Sequence, residues 1–249
     1  HYNKNNSGLP NNGIRAMAVD ASGNVWFGCY NAGIVKFDGT TWTRFHTGNS
    51  GIVGNNVTAL QFDSNNNLWV GAYFDGISKF NGSSWTNYKY PAAPFYSSSP
   101  NCINSVTIDS QSNVWVGLDC SSGLAKLNTA TNTWTKYTTA SGLAHHSVSA
   151  VIEDAAGKIW IGYNTFSNVL TSLTGTTWQT ISPFESLEAG VSYNSFIKDG
   201  SDIWCGAYGG LYHYNGTSWN KVTIPGSAVG ASSFSQSVAV DSDHGVWWS

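Results

Sequence analysis

Alternating apolar and polar positions divide the segment from Val57 to Tyr88 into four short strands. The pattern predicts strands over residues 57–63, 68–71, 77–80 and 85–88, with Trp69 near the centre of the second. Asn81-Gly82 predicts a tight hairpin between the third and fourth strands, because this pair tolerates the positive φ that such turns require. A four-stranded meander cannot bury both of its faces alone, so we expect it to stack against further copies of itself.

The same unit recurs along the whole chain. The tryptophan of the second strand returns every 43 to 46 residues, at Trp26, Trp69, Trp115, Trp160, Trp204 and Trp247. An aspartate stands six places before it in every repeat but the fifth, which has Lys198 there with Asp199 beside it, and a glycine stands two places after it in every repeat but the last, which has Ser249. A second tryptophan follows in the fourth strand of the first five repeats, at Trp42, Trp85, Trp134, Trp178 and Trp219. Four strands per period of about 40–45 residues indicate a β-propeller. We therefore predict an all-β fold, a β-propeller of four-stranded antiparallel blades, with five complete blades and a split or truncated sixth.

These residues also carry a resemblance to a known family. The segment VTALQFDSNNNLWVGAYFDGISKFNGSSW, residues 57–85, resembles the two-component regulator propeller repeat, and similar segments cover nearly the whole chain. The resemblance implies a β-propeller that acts as the periplasmic sensor of a hybrid two-component receptor, or that belongs to a secreted protein of Bacteroidetes-type bacteria. The shared residues are those that build the blade, so the resemblance informs the fold more than the ligand.

The two ends of the chain do not coincide with blade boundaries. Residues 2–9 align with residues 45–52, so the chain begins at the end of a fourth strand, and it ends inside a second strand. We expect residues 1–249 to be one propeller domain, a fragment of a longer chain. Pairing of the two termini in one blade would leave no open sheet edge, and a seven-bladed parent protein remains open.

Composition narrows the range of partners. Charged residues make up 10% of the chain and the formal net charge is -3, so we expect no basic face for nucleic acid. No run of 18 apolar residues occurs, so we expect no membrane insertion. The abundance of Asn, Ser, Thr and Gly is typical of secreted surfaces. We predict an extracytoplasmic protein, secreted, at the cell surface or in the periplasm, with no cofactor or metal, as a monomer or part of a larger assembly.

Sequence variation is concentrated in two sets of loops. One set joins the second strand to the third, and the other joins each fourth strand to the next blade; a meander places both sets on one face. Aromatic and polar residues there suit stacking on sugars and hydrogen bonding to hydroxyls. The candidate ligand-binding residues are Tyr30, Tyr73, Phe74, Asp75, Asp119, His145, Tyr163, Phe166 and Tyr208. The alternative is that these side chains only cover the top of the fold.

The repeated residues have a simpler interpretation. We expect the second-strand tryptophans to pack between blades rather than to form a series of sugar platforms. The repeated aspartates should accept backbone N–H bonds in the hairpins, because the acidic ligand pattern of a calcium loop is absent.

Catalytic signals are weak. His145 and His146 are adjacent and should point apart, and Glu185 and Glu188 share one loop. We therefore predict a non-catalytic module that recognises a glycan or a partner protein. A polysaccharide lyase or glycosidase that uses acidic and His residues near the pore is one alternative. A structural spacer of a surface protein is the other.

The four cysteines divide into two kinds. Cys29 and Cys205 occupy second-strand positions and are expected to be small buried hydrophobes. If Asp109 faces Asn113 across the third-blade hairpin, Cys102 lies directly opposite Cys120. We therefore predict a Cys102–Cys120 disulfide. A register one residue off would instead leave two free thiols.

Overall fold

The computed structural model of the protein describes residues 1–89, 102–120, 122–165, 169–182, 193–207, 210–222 and 237–248. These residues form two compact units, His1–Lys136 and Tyr137–Ser249. Strands dominate both, and the described helical structure is one short 3-10 turn at Thr139–Ser141. None of the described helical structure is long and apolar enough to cross a membrane.

The first unit contains three four-stranded antiparallel sheets. The first sheet consists of β1 (Ile14–Val19), β2 (Val25–Cys29), β3 (Gly33–Phe37) and β4 (Trp42–Phe45). The second consists of β5 (Val57–Phe62), β6 (Leu68–Ala72), β7 (Gly76–Phe80) and β8 (Trp85–Tyr88). The third consists of β9 (Ile103–Ile108), β10 (Val114–Leu118), β11 (Gly123–Asn128) and β12 (Thr133–Tyr137), whose last residue is counted in the second unit. The four strands predicted for residues 57–88 are confirmed to within one residue at each end.

The second unit contains two four-stranded sheets and one two-stranded sheet. The fourth sheet consists of β13 (Val148–Glu153), β14 (Ile159–Tyr163), β15 (Leu170–Thr174) and β16 (Thr177–Ile181). The fifth consists of β17 (Tyr193–Asp199), β18 (Asp202–Ala207), β19 (Gly210–Tyr214) and β20 (Trp219–Lys221), and the sixth of β21 (Val238–Val240) and β22 (Val246–Trp248). The predicted all-β class and the four-stranded antiparallel blades are confirmed. The single-domain extent and the closure of the ring by the two termini stay predictions.

The second-strand tryptophans of the first four sheets are core residues. They are at most 4% exposed: Trp26, Trp69, Trp115 and Trp160. Each indole Nε1 donates a hydrogen bond of 2.8–3.0 Å to the aspartate six residues earlier. The same carboxylate accepts backbone N–H groups of the hairpin, as when Asp63 Oδ1 accepts from Asn65 N at 3.0 Å and from Asn67 N at 2.8 Å. The predicted burial of these tryptophans and the predicted role of the aspartates in the hairpins are both confirmed. The indole hydrogen bond links each of these tryptophans to its aspartate.

Close packing of neighbouring sheets in the first unit explains the glycine that follows each tryptophan. The first strand of the next sheet lies against the first two strands of the preceding one, β5 against β1 and β2, and β9 against β5 and β6. A Cβ atom at Gly28 would lie 2.7 Å from Val57 Cγ1, and one at Gly71 would lie 2.8 Å from Ile103 Cγ2. Glycine is therefore needed at this position for the next sheet to approach.

A β-bulge recurs near the start of the first strand in every four-stranded sheet. In the third sheet, Ser105 pairs with Gly117, but Ile103 pairs with Leu118, so one residue is skipped. The expectation that Cys102 lies directly opposite Cys120 is therefore wrong, because the bulge shifts the register and Asp119 N donates to Cys102 O at 2.7 Å. The Cys102–Cys120 disulfide itself is confirmed, with Cα atoms 5.7 Å apart.

The other two cysteines are fully buried, as predicted. Cys29 and Cys205 have no exposed surface and carry free thiols. Burial raises the pKa of the Cys29 thiol to about 11, against a lowering by the charge of Arg44, and burial raises the pKa of Cys205 as well. Both side chains act as small apolar core residues.

The fifth and sixth sheets depart from the tryptophan pattern. In the fifth sheet the hairpin is one residue shorter: Lys198 stands six residues before Trp204, but it is Asp199 that pairs with the residue two places before the tryptophan, Asp202. Asp199 is bonded to His244, and Trp204 is only half-buried. Its buried Nε1 has no hydrogen-bond partner among the described residues, and its ring stacks on His213 at 4.3 Å. In the sixth sheet the indole of Trp247 keeps its bond to Asp241, 2.8 Å long, but is 67% exposed.

Candidate functional site

The loop after the second strand is fixed to the start of the first strand in the first four sheets. The residue four places after the repeated tryptophan donates its backbone N–H to the residue that precedes the first strand. The four bonds are Tyr30 N to Gly13 O, Tyr73 N to Asn56 O, Asp119 N to Cys102 O and Asn164 N to Ser147 O, with lengths of 2.7–3.0 Å. The two variable sets of loops therefore lie at the same end of each sheet, as the meander topology predicts.

Two further bonds bring neighbouring sheets of the first unit together at this end. Gly33 N donates to Asn55 O at 2.8 Å, and Ile103 N donates to Tyr73 O at 3.1 Å. Each bond joins a second-to-third strand loop, or the strand that follows it, to the segment that leads into the next sheet. We call this end of the three sheets, with residues 30–32, 73–75, 119–120 and 122, the loop end of the first unit.

Aromatic side chains are exposed at the loop end. Tyr30 is 45% exposed and Phe74 is 51% exposed, whereas the tryptophans of the adjoining strands are buried. The Tyr73 ring lies 4.5 Å from the Phe74 ring in a tilted arrangement. The Arg15 guanidinium lies over the Tyr30 ring, 4.4 Å from its centroid. These rings offer flat apolar surface next to a cation and backbone polar groups.

Two carboxylates accompany the aromatic rings. Asp75 packs so closely on Gly54 that a Cβ atom at position 54 would overlap the carboxylate. Burial raises the pKa of Asp75, while the positive charge of Lys89 acts in the opposite direction. Asp119 accepts a bond from Asn104 Nδ2 at 3.3 Å and one from Cys120 N at 2.8 Å. The loop end therefore carries hydrogen-bonding groups of both kinds, amide donors and carboxylate acceptors.

The Cys102–Cys120 disulfide lies at the loop end. Asp119, the neighbour of Cys120 in the chain, donates its backbone N–H to Cys102 O beside the bridge. Cys102 is buried, and Cys120 is exposed with a positive φ of 55°. The bridge ties the second-to-third strand loop of the third sheet to the segment entering that sheet. Such bonds form and persist in oxidising compartments, in agreement with the predicted extracytoplasmic location.

The candidate residues of the second unit have different surroundings. Tyr163 has no exposed surface, its hydroxyl donates to Thr171 Oγ1 at 2.7 Å, and burial raises its pKa. His145 is half-buried, accepts a bond from Ser147 N at its Nδ1, and lies edge-on to the Tyr163 ring at 6.4 Å. The ring of Tyr163 is thus part of the core of the second unit rather than of an open surface.

The repeat itself contains the signal that separates Tyr163 from the other aromatic candidates. Tyr163 follows its tryptophan by three residues, as do four fully buried second-strand residues: Cys29, Ala72, Leu118 and Ala207. Tyr30, Tyr73 and Asp119 follow theirs by four residues and lie beyond the strand. Alignment of the repeats on the tryptophan therefore places Tyr163 at a buried position of the second strand. Phe166 and Tyr208, together with Glu185 and Glu188, lie outside the described residues.

Polar residues of the recurrent bulge also belong to the loop end, and strand alternation alone does not reveal them. The bulge residues of the first three sheets are Arg15, Thr58 and Asn104. Arg15 covers Tyr30, Asn104 donates to Asp119, and Thr58 Oγ1 donates to Ile103 O at 2.6 Å. Bulges are common beside functional sites because the extra residue redirects a side chain.

Blades of four antiparallel strands, with variable loops at one end, define this protein as a β-propeller. Two segments of the chain, residues 8–31 and 51–74, match the family model of the two component regulator propeller. These segments include the first two strands of the first and second sheets, and they carry Trp26 and Trp69. The resemblance seen in the sequence is confirmed for them.

Solved structures with the same fold include extracellular domains of two hybrid two component systems from B. thetaiotaomicron. Both have a TM-score of 0.74, with sequence identities of 21% and 20%, and the matches cover 96% and 94% of this chain. The chain spans 32% of the length of each of these two proteins.

Proteins with other activities share the fold. A streptogramin B lyase has a TM-score of 0.74 and 14% identity, with coverage of 97% of this chain and 77% of the lyase. PorZ, a surface component of the type-IX secretion system of Porphyromonas gingivalis, has a TM-score of 0.68 and 17% identity, with coverage of 94% and 37%. At these identities the likeness shows the fold alone. A search of curated proteins found no match to the chain.

Proposed function

We propose that this propeller is an extracytoplasmic recognition module that binds a glycan at the loop end of the first unit. The observation that carries the proposal is the exposure of Tyr30 and Phe74, at 45% and 51%, beside polar bulge residues. When a ligand covers a large aromatic ring, apolar surface is removed from water and the complex is stabilised. Sugar rings present flat C–H faces that stack on such rings.

The polar groups around the rings support the same ligand class. Arg15, Asn104 and Asp119 supply donors and acceptors within the first unit. Sugar hydroxyls can donate and accept at once, so a mixture of fixed donors and acceptors suits them. The low charge of the whole chain favours a ligand held by stacking and hydrogen bonding rather than by a large opposite charge.

A partner protein is the second candidate, and Phe74 is the observation in its favour. The Phe74 ring has no polar atom, is 51% exposed and contacts Tyr73 at 4.5 Å. An exposed aromatic pair of this kind resembles the central residues of protein interfaces. The extracellular sensor domains and the PorZ surface component that share the fold are compatible with either ligand class.

A glycan array screened with three proteins tests the proposal. The wild type and Tyr2→Ala should bind the same oligosaccharides, whereas a Tyr30→Ala/Phe74→Ala double variant should lose binding. Tyr2 is the matched control because it is 56% exposed but contacts Phe37 and Trp42, which flank the short turn at the opposite end of the first sheet.

Two outcomes would count against glycan recognition at this site. Binding that survives in the double variant would move the site away from the loop end. No binding to any oligosaccharide, together with capture of a purified surface protein that depends on Phe74, would replace the glycan with a protein ligand.

A further inference from the structure

Asn-Gly pairs are the points of a polypeptide at which an asparagine most readily loses its amide nitrogen. The glycine backbone nitrogen, once base has removed its proton, attacks the asparagine Cγ, and the missing glycine side chain leaves that approach open. The Cγ–Nδ2 bond breaks, ammonia leaves, and a succinimide ring remains, which water then opens to an aspartate. The chain contains three such pairs, Asn12-Gly13, Asn81-Gly82 and Asn215-Gly216.

The second and third of these pairs occupy the same kind of turn, between the third and fourth strands of their sheets. Asn81 N donates to Ser84 O, and Asn215 N donates to Ser218 O, both at 3.2 Å. The two glycines have positive φ values of 95° and 86°, and a Cβ atom at either would meet no heavy atom within 4 Å. All the residues of both turns are exposed. Base and water therefore reach both glycine nitrogens, which have no acceptor among the described residues.

Each turn also directs several donors at the amide oxygen of its asparagine. Asn81 Oδ1 accepts from the backbone N of Ser83 and Ser84 at 3.0 and 2.8 Å, and from their hydroxyls at 3.1 and 3.2 Å. Asn215 Oδ1 accepts the equivalent bonds, of 2.8–3.5 Å, from the two residues after Gly216. This oxygen takes up negative charge when the glycine nitrogen adds to Cγ, so donors held around it stabilise the tetrahedral intermediate.

The first sheet shows how the same turn acts on a carboxylate. Asp38 stands at the asparagine position, and its N donates to Thr41 O at 3.2 Å. Its Oδ1 accepts from Thr40 N at 3.0 Å and from Thr41 N at 2.7 Å. The backbone bond from Thr41, then those from the backbone and hydroxyl of Thr40, lower the pKa of Asp38. The turn therefore stabilises negative charge on the side-chain oxygen, and it already accommodates the aspartate that deamidation produces.

The first Asn-Gly pair is held in a different way. Gly13 N donates to Asn11 Oδ1 at 2.8 Å, so the nitrogen that would attack is already engaged. Asn12 Oδ1 accepts from Lys4 N at 2.9 Å, and Gly13 O accepts from Tyr30 N at 2.8 Å. Attack on the Asn12 side chain would therefore require several hydrogen bonds of this segment to break first.

We infer that Asn81 and Asn215 are sites of spontaneous deamidation in the folded protein, whereas Asn12 is protected. The reaction consumes one water and releases one ammonia. It leaves an aspartate or, where water attacks the backbone carbonyl of the ring, an isoaspartate. Each conversion adds one negative charge to a chain whose formal net charge is -3. The turn that contains Asn81 lies at the opposite end of its sheet from the loop end, so the inference does not depend on glycan recognition.

Incubation of the intact protein at mildly alkaline pH, followed by peptide mapping with mass spectrometry, measures the three rates side by side. We expect deamidation at Asn81 and Asn215 to be at least about tenfold faster than at Asn12. The same incubation in guanidinium chloride should bring the three rates to within about twofold of one another, because each asparagine precedes a glycine. Equal rates at the three sites of the folded protein would overturn the inference. Rates at Asn81 and Asn215 that are much slower in the folded than in the unfolded chain would overturn it too, because the turns would then protect them.

Two variants separate the effect of the turn from that of the Asn-Gly sequence. Ser83→Ala/Ser84→Ala keeps the pair but removes the two hydroxyl donors to Asn81 Oδ1, so deamidation at Asn81 should slow about threefold. Asn215 in the same sample is the internal reference and should keep its rate. An unchanged rate at Asn81 would contradict the role of the turn. Asn81→Asp carries the product and should melt like the wild type, because Asp38 already occupies such a turn; a clear fall in melting temperature would show that the turn does not accommodate the product.

Discussion

Trp69 and Phe74 lie five residues apart in the second blade, but the first is buried and the second is exposed. Trp69 is 1% exposed, donates to Asp63, and is covered by Tyr88 at 5.6 Å and by Lys79. Phe74 is 51% exposed, and among the described residues its ring contacts that of the neighbouring Tyr73. The tryptophan recurs in every repeat, whereas the residue at the Phe74 position is Asn31 in the first repeat and Cys120 in the third.

The difference separates the residues that make the blade from those available to a ligand. A side chain that recurs with its own hydrogen-bond acceptor is required by the packing of each sheet on the next. A side chain that varies from blade to blade, on a loop whose backbone is fixed by recurrent bonds, can change without loss of the fold. The predictions below test this separation, first where the expected effect on stability is largest.

Removal of a covered tryptophan should have the largest effect. Trp69→Ala deletes a large buried side chain and leaves a cavity between sheets, so the free energy of unfolding should fall by about 3–5 kcal/mol. Denaturant unfolding measures it. Tyr73→Ala, four residues further on, is the matched control and should cost much less. Equal denaturation midpoints for the wild type and Trp69→Ala would contradict the packing role of Trp69.

Removal of the acceptor should cost less than removal of the ring. Asp109 is 8% exposed and accepts from Trp115 Nε1 at 2.8 Å and from Asn113 N at 2.7 Å. Asp109→Ala leaves these buried donors unpaired and should cost about 2–3 kcal/mol. Asp38 accepts similar backbone N–H bonds in an exposed turn, where no indole among the described residues donates to it. Asp38→Ala should therefore lower the free energy of unfolding clearly less. A reversed order would assign the stabilisation to the turn rather than to the indole.

The Asp63 carboxylate also predicts the direction of the pH dependence. Burial alone raises the pKa of Asp63, but hydrogen bonds from Asn67, Trp69 and Asn65 outweigh burial and lower it from 3.8. The unfolded chain then binds more protons than the folded chain in acid, so stability rises with pH. This contribution is complete above the ordinary value and is lost as pH falls through the lowered pKa. Melting curves between neutral pH and pH 2 should show the loss, and Asp63→Asn should flatten it.

The sequence predicts the blades well because the blade is a local, repeated pattern. Alternation and the Asn81-Gly82 turn locate β5 to β8 within one residue, and the spacing of Trp69 from Asp63 identifies the core. The bulge residues are harder to find, because one extra residue in a short strand hardly changes the alternation. That is why Arg15 and Asn104 are absent from the sequence-based candidates, and why the disulfide was predicted from the wrong register.

Tyr163 is a core residue because of its position in a strand, not because of its residue type. It follows Trp160 by three residues and ends β14, so its ring is buried, whereas Tyr30 follows Trp26 by four residues and is exposed. A search for aromatic residues near the loops does not distinguish these two positions.

The smallest expected effect on stability coincides with the largest expected effect on binding. Phe74→Ala should change the free energy of unfolding by less than about 0.5 kcal/mol, because the ring is exposed. Titration calorimetry with the tightest oligosaccharide from the array, run with thermal denaturation of the same samples, tests the separation most directly. We expect Phe74→Ala to melt like the wild type and to bind at least about tenfold more weakly. Unchanged affinity in a fully folded Phe74→Ala variant would contradict ligand recognition at the loop end.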